Sequence, residues 1–267
     1  MAILNVTPDS FSDGGKFNQF DSALHQAERL ISEGADILDI GGESTRPKSQ
    51  RVSVEEEIRR VVPIIEALVK RFETPISIDS SKSEVAAAAI NAGAEIINDV
   101  SGLRFDERIA EVAAKFRSGL VLMHLRGGFE TMHLQTPVDD ILPEVADGFR
   151  WSIEKAISFG VEKESIALDI GIGFSKTFSQ NLELLAKLDK LICDFPAFPM
   201  LVGTSRKSFI GQILGKVPAS ERLYGSLASA VVAVYKGANI VRVHDVKATI
   251  EAIKVAEAVK NWGNDDI

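Results

Sequence analysis

Polar residues that could bind a ligand recur in this sequence, each directly after a short apolar run. In chain order they are Asn5, Asp39, Asp79, Asn98, Asp99, His124, Asp169, Ser205, Arg206, Lys207, Arg242 and His244. Buried polar groups are costly unless they are paired, so folding alone gives no reason for every run to end in this way. We interpret these residues as a ring of side chains around a ligand site.

Two kinds of chemistry occur within this ring. Asp79, Asn98 and Asp169 offer the directional hydrogen bonds that suit a planar heterocycle with amide-like edges. The basic residues Arg206, Lys207, Arg242 and His244 form a second group, to which Arg46, following the second strand, is added. Ser208 follows them and is expected to begin a helix, whose free N–H groups favour an anion. The second group therefore predicts a phosphate or carboxylate subsite.

Some of these acidic residues also have structural interpretations. For Asp39 and Asp99 we favour a helix cap or a loop anchor over a ligand contact. Arg206 serves equally well in a surface salt bridge. The consecutive Glu55, Glu56 and Glu57 are interpreted as the solvated face of a helix.

Several classes of site and partner are disfavoured. The chain contains no CxxC pair or HExxH helix, and Ser205 lacks a G-x-S-x-G setting, which argues against zinc and serine-hydrolase sites. The net charge of -8 argues against nucleic acid as a partner. No apolar run approaches the roughly 20 residues that cross a membrane, and a single cysteine permits no internal disulfide. We expect a cytoplasmic protein.

The elements that must position the ring alternate regularly. Short apolar runs, read as strands buried on both faces, cover residues 2–6, 36–40, 75–79, 94–98, 119–124, 166–169, 200–203 and 239–244. Amphipathic segments of helical length cover residues 21–33, 53–71, 83–92, 106–116, 137–159, 179–190, 219–236 and 246–261. Asp21 is a plausible cap for the first helix, and Ser53 with Glu56 has the form of a capping box.

Eight strands alternating with eight helices predict the α/β class and a single (β/α)8 TIM barrel with parallel strands. The active site is then expected at the C-terminal ends of the strands, where the polar ring lies. The 267 residues suit one domain over residues 1–267. An open doubly wound sheet is the alternative fold, but the glycine-rich turn expected after its first strand is missing.

The motifs around the ring resemble the dihydropteroate synthase family over almost the whole chain. They comprise ILNVTPDSFSDGG from Ile3, DIGGESTRP from Asp39, SID from Ser77, INDVSG from Ile97, LMH from Leu122, GIGF from Gly171, GTSRKSF from Gly203 and VRVHD from Val241. The resemblance implies a barrel enzyme that joins 6-hydroxymethyl-7,8-dihydropterin diphosphate to p-aminobenzoate, with Mg2+ assisting. It also implies a homodimer, with small-molecule substrates and neither nucleic acid nor membrane as a partner.

The resemblance further implies a role for each matching residue. The implied pterin-binding residues are Asp79, Asn98, Met123, Asp169 and Lys207. The implied diphosphate-binding residues are Asn5, Thr45, Arg46, Arg242 and His244, with Asn5 also contacting the metal. The implied p-aminobenzoate pocket consists of Phe11, Pro47, Phe174 and Ser208. The residues implied in catalysis are Asp79, Asp169, Lys207, Arg242 and His244.

The chain departs from the family pattern after three of its strands. Ser80 and Ser81 follow Asp79, where threonine and an aromatic residue are frequent. Ile170 and Ser175 replace the proline and the glycine that are common after the sixth strand, and Leu125 to Phe129 is an unusual continuation after His124. Two other functions stay open at this point. One is a pterin-dependent methyltransferase, and the other is a pterin-binding relative without catalytic activity.

Overall fold

A computed structural model describes residues 1–7, 16–45, 49–132 and 134–262 of the chain. Its eight strands are parallel and lie in sequence order in one sheet. They are β1 (Ala2–Asn5), β2 (Leu38–Gly41), β3 (Ile76–Asp79), β4 (Ile96–Asp99), β5 (Gly119–Met123), β6 (Ile166–Asp169), β7 (Met200–Val202) and β8 (Ile240–Val241). A parallel bridge between Ala2 and Val243 joins the end of β8 to β1. The sheet closes, and the predicted (β/α)8 barrel is confirmed.

The helices between the strands largely match the predicted segments. They are α1 (Lys16–Ser32), α2 (Val54–Val69), α3 (Ser83–Asn91), α4 (Arg108–Phe116), α5 (Ile141–Ser158), α6 (Phe178–Ala186), α7 (Leu188–Asp194), α8 (Ser208–Ile213), α9 (Leu223–Tyr235) and α10 (Val246–Lys260). None of these described helices has both the length and the apolar character required to cross a membrane.

Three helix predictions need correction. The first helix begins at Lys16, so Asp21 lies inside it and is not its cap. The segment 179–190 belongs to two helices, because Lys187 leaves the helical conformation at φ -111° and ψ 20°. Ser53 does cap α2 through the Glu56 N–H, but the reciprocal capping box occurs at Thr177 and Gln180.

Alternation along the strands separates the core from the site. Successive side chains of a strand point to opposite faces of the sheet. Residues of one parity, such as Ile40, Ile78 and Leu168, are buried against the helices. Residues of the other parity point into the barrel. Where the strands begin they are apolar, as in the buried cluster of Met1, Val121 and Leu201. Where the strands end they are polar.

A buried ion cluster fastens the loop that follows β2. The Lys82 amine donates to Glu43 at 2.8 Å, to Glu57 at 2.6 Å and to the Val52 carbonyl at 2.7 Å. Glu57 is completely buried, so its interpretation as solvated helix surface was wrong. Its position facing Gly42 instead places it beneath the loop. Burial raises the pKa of Glu57, although Lys82 opposes the shift.

Removing the lysine of this cluster should destabilise the fold. We expect Lys82→Met to lower the free energy of unfolding by about 3–5 kcal/mol, because two buried carboxylates lose their cation. Lys187→Met is the matched control, since its ion pair with Glu183 is exposed to solvent and contributes little to stability. Urea unfolding of both variants measures the difference. Equal losses would contradict a buried cluster.

Candidate active site

Arg242 joins two carboxylates at the C-terminal mouth of the barrel. It follows β8, and its Nε donates to Asp39 Oδ2 at 2.6 Å. Its Nη2 donates to Asp79 Oδ2, also at 2.6 Å. Asn98, at the end of β4, donates its amide N–H to the same Asp39 oxygen at 3.0 Å. Residues from four strands therefore form one bonded group.

Burial and charge tune this group in opposite directions. Burial raises the pKa of Asp79 to about 7, although the Arg242 charge opposes the shift. Burial tends to lower the pKa of Arg242, but the Asp39 and Asp79 carboxylates outweigh it and raise this pKa above its ordinary value. Arg242 therefore stays cationic, while Asp79 can change its proton at neutral pH.

Asn5 places an amide oxygen beside this group. It ends β1, next to Gly41, and a Cβ atom built on Gly41 would lie 3.7 Å from Asn5 Oδ1 and 3.6 Å from Asp79 Oδ2. Because glycine has no side chain, the space between these oxygens stays open. The described residues contain no cluster of three His, Cys, Asp or Glu side chains suited to a metal. A single amide oxygen fits Mg2+, which commonly keeps water and substrate phosphates as its other ligands.

The opposite side of the mouth combines an amine with an apolar surface. Lys207 Nζ lies 4.2 Å from the centre of the Phe174 ring, within cation–π distance. Phe174 and Met123 belong to one buried apolar cluster. Burial lowers the pKa of Lys207 to about 8, with Asp169 opposing the shift. Burial also raises the pKa of Asp169, which accepts a hydrogen bond from the Gly171 N–H at 2.8 Å.

The two sides lie close together at the mouth of the barrel, and the space between them is the candidate substrate cavity. Lys207 is close enough to Asp169, Arg242 and Asp79 for their charges to act on its pKa. Asp79 is bonded to Arg242, and Arg242 is connected to Asn98 through Asp39. The structure thus brings together the acidic, amide and amine groups that the sequence placed around one planar ring.

His244 is held by a residue for which the sequence suggested no such role. The Ser205 hydroxyl lies 3.0 Å from His244 Nδ1 and accepts the His244 backbone N–H at 3.2 Å. Ser205 therefore fixes the orientation of the imidazole. Arg206 forms a bidentate pair with Asp245, as its salt-bridge interpretation proposed. Ser208 begins α8 and is exposed.

Other candidates lie outside the cavity or outside the described residues. The alternation along β5 directs the His124 side chain away from the barrel interior, and it is buried against Gly148 of α5. Burial there lowers the pKa of His124 well below its ordinary value. The predicted ligand Thr45 directly precedes residues 46–48, which lie outside the described residues. The predicted ligands Phe11, Arg46 and Pro47 lie outside the described residues.

Asp39 and Asp99 were both predicted to cap a helix or anchor a loop, but the structure gives them different roles. Asp99 anchors the loop after β4 as predicted, because it accepts from the Ser101 hydroxyl and from the Ser101 and Leu103 N–H groups. For Asp39 the prediction of a cap or loop anchor was wrong. Its parity along β2 directs it into the barrel, where it binds Arg242 and Asn98. The alternation of side chains along β2 would have predicted this inward position from the sequence.

The loops after β5 and β6, which both depart from the family pattern, are bonded to each other. Ser175 has a φ of 54°, the left-handed region that glycine adopts easily. Its hydroxyl accepts the Arg126 N–H at 3.0 Å and lies 2.8 Å from the Arg126 and Met132 carbonyl oxygens, one of which takes its proton. Lys176, for which the sequence indicated no role, donates to the carbonyls of His124, Gly171 and Phe174. These bonds define the loop despite the departures at positions 170 and 175.

The serine at this left-handed position gives a test. We expect Ser175→Ala to be less stable than Ser175→Gly by roughly 1 kcal/mol, because both lose the hydroxyl and alanine alone keeps the left-handed strain. Urea unfolding of the two variants measures the difference. An alanine variant as stable as the glycine variant would argue against the left-handed conformation.

Comparison with known proteins shows the family to which the chain is similar. The family model described as pterin binding enzyme matches residues 1–244. Dihydropteroate synthase of Escherichia coli is 49% identical over 260 residues, which cover 97% of this chain and 90% of the relative.

Two solved structures are also similar. Dihydropteroate synthase of Clostridium difficile, in the presence of pteroic acid, has a TM-score of 0.91 at 46% identity and covers 97% of this chain and 95% of its own. The Xanthomonas albilineans dihydropteroate synthase in complex with 7,8-dihydropteroate has a TM-score of 0.88 at 42% identity, with coverages of 97% and 92%.

Proposed function

The chain belongs to the pterin binding enzyme family, and we propose that it condenses 6-hydroxymethyl-7,8-dihydropterin diphosphate with p-aminobenzoate. The products are 7,8-dihydropteroate and pyrophosphate, which makes the chain a transferase of folate biosynthesis. One observation carries the proposal: the mouth of the barrel holds hydrogen-bonding carboxylates and an amide beside a charged arginine. The first set suits a pterin ring, and the arginine suits a diphosphate.

The pterin ring is assigned to the centre of the cavity. Asp79, Asn98, Asp169 and Lys207 present the hydrogen-bonding groups. Met123 offers an apolar surface on which the flat ring can pack. The proton affinity of Asp79 matters here, because a buried carboxyl can bind the amino-pyrimidine edge either as an acceptor or as a partner that shares a proton.

The diphosphate is assigned to the side of Arg242. His244, held by Ser205, and Asn5 flank this side, and Thr45 and Arg46 are proposed to complete it. Asn5 is the residue that would hold Mg2+ on this side. When bound, the ion neutralises negative charge on the departing group.

The p-aminobenzoate is assigned to the neighbouring apolar side. Phe174 lies in the same buried cluster as Met123, so an arylamine packed on Phe174 reaches the edge of the pterin. Ser208 at the start of α8, together with Phe11 and Pro47, is proposed to complete this pocket.

The residues support a reaction without a protein nucleophile. Cleavage of the pterin C–O bond leaves positive charge on the methylene carbon and the ring, and negative charge on the pyrophosphate. Asp79 and Asp169 stabilise the first charge, while Arg242 and His244 stabilise the second. The arylamine nitrogen then attacks the methylene carbon and loses a proton. The reaction requires that water be kept away from the cation, which water would otherwise capture.

We further propose that residues 1–267 form one pterin-binding domain that acts as a cytoplasmic homodimer. Exposed apolar side chains lie on the adjacent helices α9 and α10 and just beyond α10, and they are Tyr224, Val232, Tyr235, Val255, Val259 and Trp262. Such a patch is typical of a subunit interface. Sedimentation equilibrium measures the mass that decides between monomer and dimer.

The direct test of the function is turnover with both proposed substrates. Purified protein should release pyrophosphate and form dihydropteroate only when both substrates are present, and removal of Mg2+ by EDTA should slow the reaction. A pterin-dependent methyltransferase or a silent relative would bind pterin without releasing pyrophosphate. That result would refute the proposal.

Lys207 provides a test of the pterin subsite. We expect Lys207→Ala to weaken binding of the pterin diphosphate by roughly 1.5–3 kcal/mol, because a charge-assisted contact is lost. Calorimetric titration measures the dissociation constant. Lys190→Ala, an exposed lysine of α7, is the control and should bind normally. An unchanged constant in the Lys207 variant would remove this residue from the subsite.

A further inference from the structure

Asp39 lies beneath the proposed substrate cavity. Its side chain is 0% exposed, whereas those of Arg242 and Asp79 are 19% and 13% exposed. In the register of β2 and β3, Gly41 pairs with Asp79, and Asp39 lies two residues earlier, opposite Ser77. Two residues of strand correspond to about 6–7 Å, so Asp39 occupies the layer below Asp79. Asp39 therefore offers no exposed side-chain surface to a substrate in this structure.

A single oxygen of Asp39 serves both subsites. Its Oδ2 accepts the Nε–H of Arg242 at 2.6 Å and an amide N–H of Asn98 at 3.0 Å. Arg242 belongs to the proposed diphosphate subsite and Asn98 to the proposed pterin subsite. Because its nitrogen is committed to Asp39, Asn98 presents its carbonyl oxygen and its second N–H elsewhere.

Two carboxylates hold the guanidinium group of Arg242. Nε is bound by Asp39 in the lower layer, and Nη2 by Asp79 in the upper layer. No described residue bonds to Nη1. A guanidinium is planar and rigid, so fixing two of its nitrogens fixes the direction of the third. Of the two carboxylates, only that of Asp39 has no exposed side-chain surface.

We propose that Asp39 is a positioning residue for the reaction, one that aims Arg242 at the diphosphate and Asn98 at the pterin without touching either. This inference rests on the proposed function. It predicts that Asp39 acts through Arg242, so that the two residues are energetically coupled. It also predicts that an acceptor oxygen at position 39 matters more than its charge.

Three single variants separate these effects in steady-state assays with both substrates and Mg2+. Asp39→Ala removes the acceptor and should lower kcat/KM for the pterin diphosphate about tenfold or more, with little change in KM for p-aminobenzoate. Asp39→Asn keeps an acceptor oxygen and should recover most of this loss. Ser77→Ala is the matched control, since Ser77 is its buried neighbour in register and its hydroxyl has no described partner.

A double-mutant cycle with Arg242→Ala tests the coupling. Dissociation constants for the pterin diphosphate are measured for Asp39→Ala, Arg242→Ala and the double variant, so that low turnover does not limit the assay. We expect the effect of Asp39→Ala to be clearly smaller in the Arg242→Ala background, where only the part that passes through Asn98 remains. Residues that act independently would instead give multiplicative losses.

The outcomes are distinct. A wild-type protein without turnover overturns the proposed function and the inference with it. A wild-type protein with turnover, together with an Asp39→Ala variant equal to it, overturns the positioning role alone. Equal losses in Asp39→Ala and Asp39→Asn with multiplicative behaviour in the cycle also overturn that role, because they indicate a general effect of charge on the fold.

Discussion

Side-chain alternation along eight parallel strands decides which residues share the interior of this barrel. One parity packs against the helices, and the other points inward. The inward residues change from apolar at the start of the strands to polar at their ends. Asn5, Asp79 and Asp169 thereby meet although they are far apart in the chain. The chemistry of the mouth is a consequence of this geometry.

Charge balance is the second constraint on the interior. The mouth holds the carboxylates of Asp39, Asp79 and Asp169 beside the cations of Lys207 and Arg242. Buried charges must be paired, and here each carboxylate lies close to a cation or a backbone N–H. Burial nevertheless moves the pKa of Asp79 and that of Lys207 toward neutrality. The site therefore contains groups whose protonation can respond to a charged substrate.

The architecture and most of the candidate site were predictable from the sequence, for a physical reason. A short apolar run predicts a buried strand, and the polar residue at its end predicts which end of the strand carries the site. Asp79, Asn98, Asp169, Lys207 and Arg242 were found in this way, and the structure brings them into one cavity.

The errors arose where local pattern and tertiary contact disagree. Glu57 lies in a run of three glutamates that resembles a solvated face, and only the fold shows Lys82 beneath the loop. Asp39 was assigned by residue type, although its parity already placed it inside the barrel. Arg46 and Pro47, like Phe11, fall outside the described residues, so their predicted roles stay predictions.

The hydrogen bonds between Ser175 and the loop after β5 also limit which segments can be exchanged between homologous chains. Ser175 occupies a left-handed backbone position because Arg126 and Met132, on a different loop, hold its hydroxyl. A relative with glycine at this position needs no such partner. A chimera that took only one of the two loops from such a relative would combine an unsupported serine with a foreign neighbour, or the reverse. The two segments therefore form a single unit of inheritance, and recombination between homologues is expected to keep them together.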